Sequence, residues 1–449
     1  MFQYKLSKDT ELTPELIKKL INKHTFEEVP RMDKLFNYYD AKNDAIRAKT
    51  NADGNLPNNK IIHPYGTYIT NTLTGYFMGD GVSYSSVNDE AGVDELRMIL
   101  EYSDEQDENV ELAKQASVFG LGVELLYIDI DGMVRIKYID PREVVLIYED
   151  TLEDNLIYAI RYYKVYDYLR ETTSYKVEVY TDKEVRLYHA DELLSSLVLD
   201  NTINHHFGQC PVVVYQNNAE QRGDFEGVIS LIDSYDKMES DSLDDFDYFV
   251  DAYLVLSGLN ADSEDVAKMK ENRVILLDQD SNAEWLTKNG DSSGADSVKT
   301  RIDKDIHKFA QVPDMSDEAF AGNASGVAIK YKTMPMENLV AVKERKFKKG
   351  LQRRIELIFA ILGLKGSAHD WRGIDITFTR NLPTNETELA QMVSTLDGIV
   401  SAQTLLSQLP FVEDVDDEMD KLKEQKEENM AAFYNDTENF LDKQEEEDK

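Results

Sequence analysis

Apolar positions along this chain follow two periods. Over residues 12–50, and again over 93–126, the pattern is helical, with apolar side chains returning to one face every three or four residues. Thr13-Pro14-Glu15 marks a helix start, with Thr13 as N-cap and Pro14 in the first turn. From Val123 the period becomes two. Strands are predicted over 123–130, 133–139, 144–148, 158–166, 175–181, 184–189 and 212–216, the first pair joined at Asp131-Gly132, a strong hairpin signal. Shorter strands are predicted at 82–85 and 374–378. The result is a largely antiparallel sheet domain wrapped by the earlier helices. Residues 64–79 mix small and aromatic side chains, a composition for tight packing.

The period returns to helical over residues 227–258, and there it is sorted by charge. Asp233, Asp236, Asp244, Asp247 and Asp251 fall on one narrow face, with Ser240 filling the gap in their spacing. Val228, Leu231, Tyr235, Met238, Phe246, Phe249 and Tyr253 fall opposite. Stacked carboxylates cost helix stability, on the order of a few tenths of a kcal/mol per pair. The stripe is either a solvated face or the lining of something that must not be gripped. A small α/β insert follows, with a helix over 263–271 and strands over 274–277 and 283–286. A second helix over 296–310 carries Val298, Ile302, Ile306 and Phe309 on its apolar face, so the insert sits at the tip of a two-helix stalk.

Residues 314–326 read as a loop, 327–332 as a helix-prone piece, and 333–338 as a turn interrupted by Pro335. The helix predicted over 339–362 has an apolar stripe of Phe347, Leu351, Ile355, Ile358 and Leu362. It also holds the main basic cluster: Lys343, Arg345, Lys346, Lys348, Lys349, Arg353 and Arg354. That cluster is a solvated face, or it pairs with an acidic neighbour or with phosphate. Helices are predicted over 389–409 and 418–440, before a charged tail expected to be disordered.

Composition narrows the chemistry. The formal net charge is −37, from 86 acidic and 49 basic side chains, which argues against a sequence-reading DNA-binding module. It leaves room for an acidic wall that repels phosphate. The single cysteine, Cys210, forms no intrachain disulfide and fits a reducing compartment. No signal peptide and no membrane span are evident. Phe119-Gly120-Leu121-Gly122 matches no phosphate-loop spacing, and Gly322-Asn323-Ala324-Ser325-Gly326 is not a nucleophile elbow. Asp129 and Asp131 lack the remaining ligands of a calcium loop, and His205, His206 and Cys210 lack a fourth zinc ligand. No catalytic residue, cofactor or metal site is expected.

Taken in order, the chain resembles the portal proteins of tailed bacteriophages, in the branch found in long-tailed phages and prophages of Gram-positive hosts. The residues that carry the resemblance are segment 64–79, the hairpin ending Tyr138-Ile139-Asp140-Pro141-Arg142-Glu143-Val144, the stalk, and Ser325-Gly326-Val327-Ala328-Ile329-Lys330. Asn381-Leu382-Pro383-Thr384-Asn385-Glu386, Ile399-Val400-Ser401 and Leu409-Pro410-Phe411-Val412 add to it.

The resemblance implies an α+β portal fold. Residues 1–226 would be a mixed α/β wing, 227–258 and 290–311 the two stem helices, and 259–289 a small clip. Residues 312–338 would hold the tunnel loop, 339–383 the long basic helix and its return to the wing, and 384–449 a helical crown with an acidic tail. It implies a homo-oligomeric ring of about twelve subunits at one capsid vertex. Terminase would pump double-stranded DNA through that ring, without sequence specificity, and the DNA would later leave by it. The implied partners are the terminase large subunit, a head–tail adaptor, and the major capsid and scaffolding proteins, with no membrane. The protein would be made in the bacterial cytoplasm and reside in the virion. In such a ring the stripe of Asp233, Asp236, Asp244, Asp247 and Asp251 would face the channel as a non-stick wall for DNA. Lys330, Lys332, Thr333, Met334, Pro335, Met336, Glu337 and Asn338 would form or flank the tunnel loop, with Lys330 and Lys332 as phosphate contacts. Lys343, Lys346, Lys349 and Arg353 would pair between subunits. Two other readings are another virion ring component, such as a head–tail adaptor, and an acidic intracellular enzyme.

Overall fold

The structure, a computed structural model, describes residues 4–50, 57–250, 253–257, 264, 282–286, 292–315, 326–381, 386–406 and, further on, 409, 412, 415, 418–419 and 421–425. They are a mixed α+β chain in two units. The larger holds residues 1–317 and 332–381, the smaller 318–331 and 382–449.

In the larger unit, strand β1 (Tyr4–Leu6) precedes helices α1 (Pro14–Glu27), α2 (Val29–Tyr39), α3 (Asp44–Arg47) and α4 (Tyr65–Met78). Strand β2 (Val82–Ser85) leads to α5 (Glu90–Tyr102) and α6 (Glu105–Phe119). Then come β3 (Leu121–Ile128), β4 (Val134–Ile139), β5 (Val144–Glu149), β6 (Leu156–Asp167), β7 (Thr172–Tyr180), β8 (Glu184–Asp191), β9 (Leu197–Asn204) and β10 (Val212–Gln216). The order β1-β5-β6-β7-β8-β9 makes a six-stranded sheet, antiparallel except for β1 beside β5, and β10-β3-β4 makes a second, antiparallel one. Asp129 accepts the backbone N–H groups of Asp131 and Met133 at the β3–β4 hairpin, which is turn chemistry.

The period-two pattern sorts the core into layers. Val145, Ile147, Ile160, Val177 and Val179 point to one face of the six-stranded sheet and pack with Ile17, Leu20 and Ile21 of α1. Val144, Leu146, Ala159 and Tyr180 point to the other face, against Leu121, Val123, Leu125 and Val212 of the three-stranded sheet. Sequence pattern missed β1, at three residues too short to show a period. It also missed β9, whose residues are almost all exposed, so that no burial imposes alternation on them.

Helices α7 (Ile229–Val250) and α8 (Ser292–Ala310) are joined by an antiparallel pair, β11 (Tyr253–Ser257) and β12 (Asn282–Leu286). The predicted helix over 227–258 therefore ends early. Tyr253-Leu254-Val255-Leu256 is an aromatic and apolar run better suited to a paired strand than to a helix end. The helix predicted at 263–271 and the strand at 274–277 fall outside the described residues, apart from Glu264.

Helix α9 (Gly326–Lys365) runs for 40 residues with Pro335 inside it, so the turn predicted at 333–338 is helix. Pro335 lies on the exposed side, between the buried Thr333 and Met336. The residue whose carbonyl loses its helical partner, Tyr331, is itself 72% exposed. Strand β13 (Asp375–Phe378) then pairs with β2. In the smaller unit, α10 (Glu386–Leu396) and α11 (Ala402–Leu406) divide the helix predicted over 389–409. The break falls at Gly398, whose φ of +79° a helix does not use. Of the helix predicted over 418–440, the described residues are helical at 418–419 and 421–425.

One buried polar network ties α9 to the rest. The Arg354 guanidinium is wholly buried and holds Glu124 of β3 through both carboxylate oxygens, at 3.0 and 2.6 Å. It also reaches Glu105 at 2.8 Å and Asn109 at 2.8 Å, both on α6. Tyr215 of β10 donates to Glu124 at 2.9 Å, and Tyr84 of β2 donates to Glu105 at 2.6 Å. Burial pushes the Glu124 carboxyl up, against the pull of Arg354. Gly350, one turn before Arg354, lets the Tyr215 ring approach so closely that a Cβ would sit 2.4 Å from it.

Removing Arg354 leaves two buried carboxylates without their cation. Arg354→Met is expected to cost about 3–5 kcal/mol of stability in urea unfolding; a loss below about 1 kcal/mol would show that the network does not hold α9. A second prediction concerns pH. His24, buried on α1 beside the Tyr162 hydroxyl at 2.9 Å, has its pKa lowered by burial from 6.5 to about 4. The unfolded chain takes up a proton there that the folded chain refuses, so stability falls as pH drops from 6.5 towards 4. The contribution is on the order of 3 kcal/mol at about 1.4 kcal/mol per unit. His24→Phe is expected to flatten the fall in urea midpoint between pH 7 and pH 5; an unchanged slope refutes the assignment.

Candidate channel stem and its supports

The acidic stripe of α7 faces inward. Asp236 is wholly buried and accepts from the Asn43 amide at 2.5 Å, the His63 backbone N–H at 2.9 Å and His63 Nδ1 at 3.0 Å. Asp233 accepts the Tyr38 hydroxyl at 2.5 Å. The buried Ser240 hydroxyl accepts the Ile61 N–H at 2.9 Å. Asp244 binds Lys49 at 2.6 Å and the backbone and side-chain nitrogens of Asn59 at 2.6 and 2.8 Å. Asp247 takes the second Asn59 amide contact at 2.8 Å. Asp251 lies outside the described residues.

So the expectation of a bare carboxylate wall is corrected for Asp236 and Asp244. Tyr38, Asn43, Lys49, Asn59, Ile61 and His63 carry N–H and O–H groups that need acceptors, and the stripe supplies them. Burial pushes the Asp236 carboxyl up, opposed by its hydrogen bonds from His63 and Asn43. Burial also opposes ionisation of Asp244, but Lys49 and Asn59 outweigh it and hold that carboxyl below its ordinary range. On the other side of α7 Phe246 is 65% exposed, and Leu243, on the flank of the stripe, is 37% exposed. Helix α8 runs beside α7 and joins it through Lys299 and Glu239 at 3.2 Å.

The tunnel-loop candidates all lie on α9. Thr333 and Met336 are buried, while Met334, Pro335 and Asn338 are exposed. Glu337 accepts the Tyr76 hydroxyl at 2.6 Å and Arg380 at 3.1 Å. Lys330 is exposed and Lys332 half-buried.

Among the basic candidates, Lys343 is buried and paired with Asp224 of its own chain. Arg353 is engaged by Gln209 and by Glu356 at 2.8 Å of its own chain. Lys346 and Lys349 line an open cleft of about 520 Å³ with Tyr148, Asp154 and Gln209. His205 spends both ring nitrogens on backbone: it donates to Thr181 at 3.1 Å and accepts from Phe207 at 3.2 Å.

One grouping was missed from the sequence. Asp303 and His307 of α8 meet Asp314, with potential ligand atoms all within 4.8 Å of one another. The signal was present as an i, i+4 Asp–His pair on one helix face. The third member comes from beyond a turn, which spacing does not reveal. No described helix is long and apolar enough to cross a membrane.

The inward stripe predicts a graded response. Asp236→Ala orphans buried donors and is expected to cost about 2–4 kcal/mol, whereas Asp247→Ala, at an exposed contact, costs under about 1 kcal/mol. Urea unfolding of the two variants checks this, and equal losses would contradict the gradient.

Comparison with known proteins identifies what this arrangement belongs to. The chain is 25% identical over 439 residues to the portal protein of Bacillus phage SPP1, covering 91% of this chain and 86% of that one. It is 26% identical over 324 residues to the portal protein of Clostridium phage phiCD119, covering 68% of this chain and 69% of that one. The family model described as phage portal protein, SPP1 Gp6-like, matches residues 18–432, and the chain belongs to that family of phage portal proteins.

Proposed function

We propose that this chain assembles into a ring of about twelve copies through which double-stranded DNA enters and leaves a phage capsid. The observation that carries the reading is the family match across residues 18–432. Portal proteins are structural components of the virion, and no enzymatic role is proposed. Within the ring, residues 1–226 act as the wing, α7 and α8 as the stem, and 384–449 as the crown. Residues 259–289, most of which lie outside the described residues, act as the clip that meets the terminase large subunit and later the head–tail adaptor. The wing is the surface proposed for the capsid and scaffolding proteins.

A stem that packs against neighbouring copies accounts for apolar side chains left open in the single chain: Leu243 and Phe246 on α7, and Phe309 on α8, which is 61% exposed. Of the acidic stripe, Asp247 is the described member that is exposed, and it is the one proposed to face the channel. Duplex DNA carries one negative charge per ~1.7 Å of axis, so an acidic surround, in a chain of net charge −37, repels it and allows sliding. Lys330 and Lys332 stay the proposed phosphate contacts, and Lys346 and Lys349 the proposed contacts between subunits.

Negative-stain microscopy of the purified chain, paired with mass measurement, is the test. Closed rings with a central hole are expected. Phe246→Asp, which puts charge where a neighbouring stem would pack, is expected to shift the population towards single chains while leaving the circular-dichroism spectrum intact. A chain that stays monomeric at every concentration would overturn the reading.

A further inference from the structure

We infer that Asp303, His307 and Asp314 form a binding site for one divalent transition-metal ion of the zinc or manganese type. The inference stands apart from ring formation and rests on the geometry around the end of α8.

Three observations carry it. First, the three side chains come from two separate segments, yet each offers a ligand atom within 4.8 Å of the others. A metal with bonds near 2.0–2.2 Å holds its ligand atoms about 3.3 Å apart, so a small closure completes the set. Second, the imidazole is oriented as a ligand. His307 Nδ1–H donates to the backbone carbonyl of Val312 at 3.2 Å, which leaves the lone pair on Nε2. That nitrogen faces Asp303 Oδ1 at 3.7 Å, beyond hydrogen-bond length. An acceptor therefore looks at a carboxylate across a gap that a cation fills. Third, the carboxylate has outside support: the Tyr65 hydroxyl donates to Asp303 Oδ1 at 2.6 Å, the kind of outer contact that fixes a ligating carboxylate.

The site opens onto a cleft of about 360 Å³ bordered by His63, Tyr65, Tyr68 and Tyr235, which leaves room for water as a further ligand. One imidazole and two carboxylates favour a first-row transition ion over calcium or magnesium, which prefer oxygen alone. Bound there, the ion would cross-link the last turns of α8 to the segment that leaves it. Tyr68 already braces that segment by donating to the Pro313 carbonyl at 2.9 Å and accepting the Met315 N–H at 3.0 Å.

The test uses the full chain stripped with a chelator. Calorimetric titration with Zn²⁺ is expected to give one saturable site per chain, and Co²⁺ is expected to produce visible absorption bands distinct from those of the aquo ion. Asp314→Asn and His307→Ala are each expected to weaken Zn²⁺ about tenfold or more. His189→Ala, which removes an exposed His–Asp pair elsewhere, leaves the site unchanged. If His307→Ala fails to fold by circular dichroism, Asp314→Asn and the Co²⁺ spectrum of the unmodified chain decide the matter. No saturable binding, binding that survives Asp314→Asn, or a Co²⁺ spectrum like that of the aquo ion would each overturn the assignment and leave the trio as an imidazolium ion pair.

Discussion

A wholly buried guanidinium is tolerable only when its surroundings replace the water it has lost. Around Arg354 that replacement comes from four elements at once: β3 through Glu124, α6 through Glu105 and Asn109, β10 through Tyr215, and β2 through Tyr84. Each partner is useful only if the others stand in place, so the network specifies one arrangement of helix α9 on the sheets. Along the same face, the buried Lys343 pairs with Asp224, which also accepts from Ser117 at 2.5 Å and Asn217 at 2.8 Å. Between these two polar anchors lie Phe347 and Leu351, both buried. The basic cluster of α9 is thus divided by function. Lys343 and Arg354 are structural, and Lys346 and Lys349 border a cleft.

The same division governs α7. A row of carboxylates is costly while it faces only itself, and the cost falls once each finds a donor. The residues just before α4 offer such donors at Asn59, Ile61 and His63. Asn59, Ile61 and His63 lie outside any helix or strand, and their N–H groups find acceptors on α7, so acceptor and donor solve each other's problem. On the opposite side of α7, Phe246 stays open in the single chain.

How far the sequence revealed this follows from what each pattern encodes. Period two in 123–180 reports burial of alternate residues on a two-faced sheet, and those strands were legible to within a few residues. The stripe on α9 from Phe347 to Leu362 was legible for the same reason. The α7 stripe was legible as a stripe, but its direction was not. Periodicity gives the angle between charged and apolar faces and does not say which one meets the rest of the chain. Pro335 misled because a proline reads as a helix breaker, whereas α9 carries it on its exposed side. Tyr253–Ser257 misled because an apolar run of five residues fits either period. Lys343 and Arg353 looked like surface charges because nothing in sequence separation links them to Asp224 or Gln209. The Asp303–His307–Asp314 grouping needed a turn to be folded before it existed.

A chain with net charge −37 has acids enough to cover its surface, yet several of them are structural. Asp224, Glu105, Glu124 and Asp236 lie inside and are matched by buried cations, amides and hydroxyls. Held in this way they are committed to the fold and cannot line an open channel. The repulsion that a channel for DNA requires must then come from carboxylates held in solvent, such as Asp247, and from the acidic excess of the whole surface. Such a diffuse field is the more suitable wall for sliding. A few strong, fixed charges would impose steps on a polymer whose own charges repeat every ~1.7 Å, whereas a spread of screened ones presents a nearly uniform potential at each position.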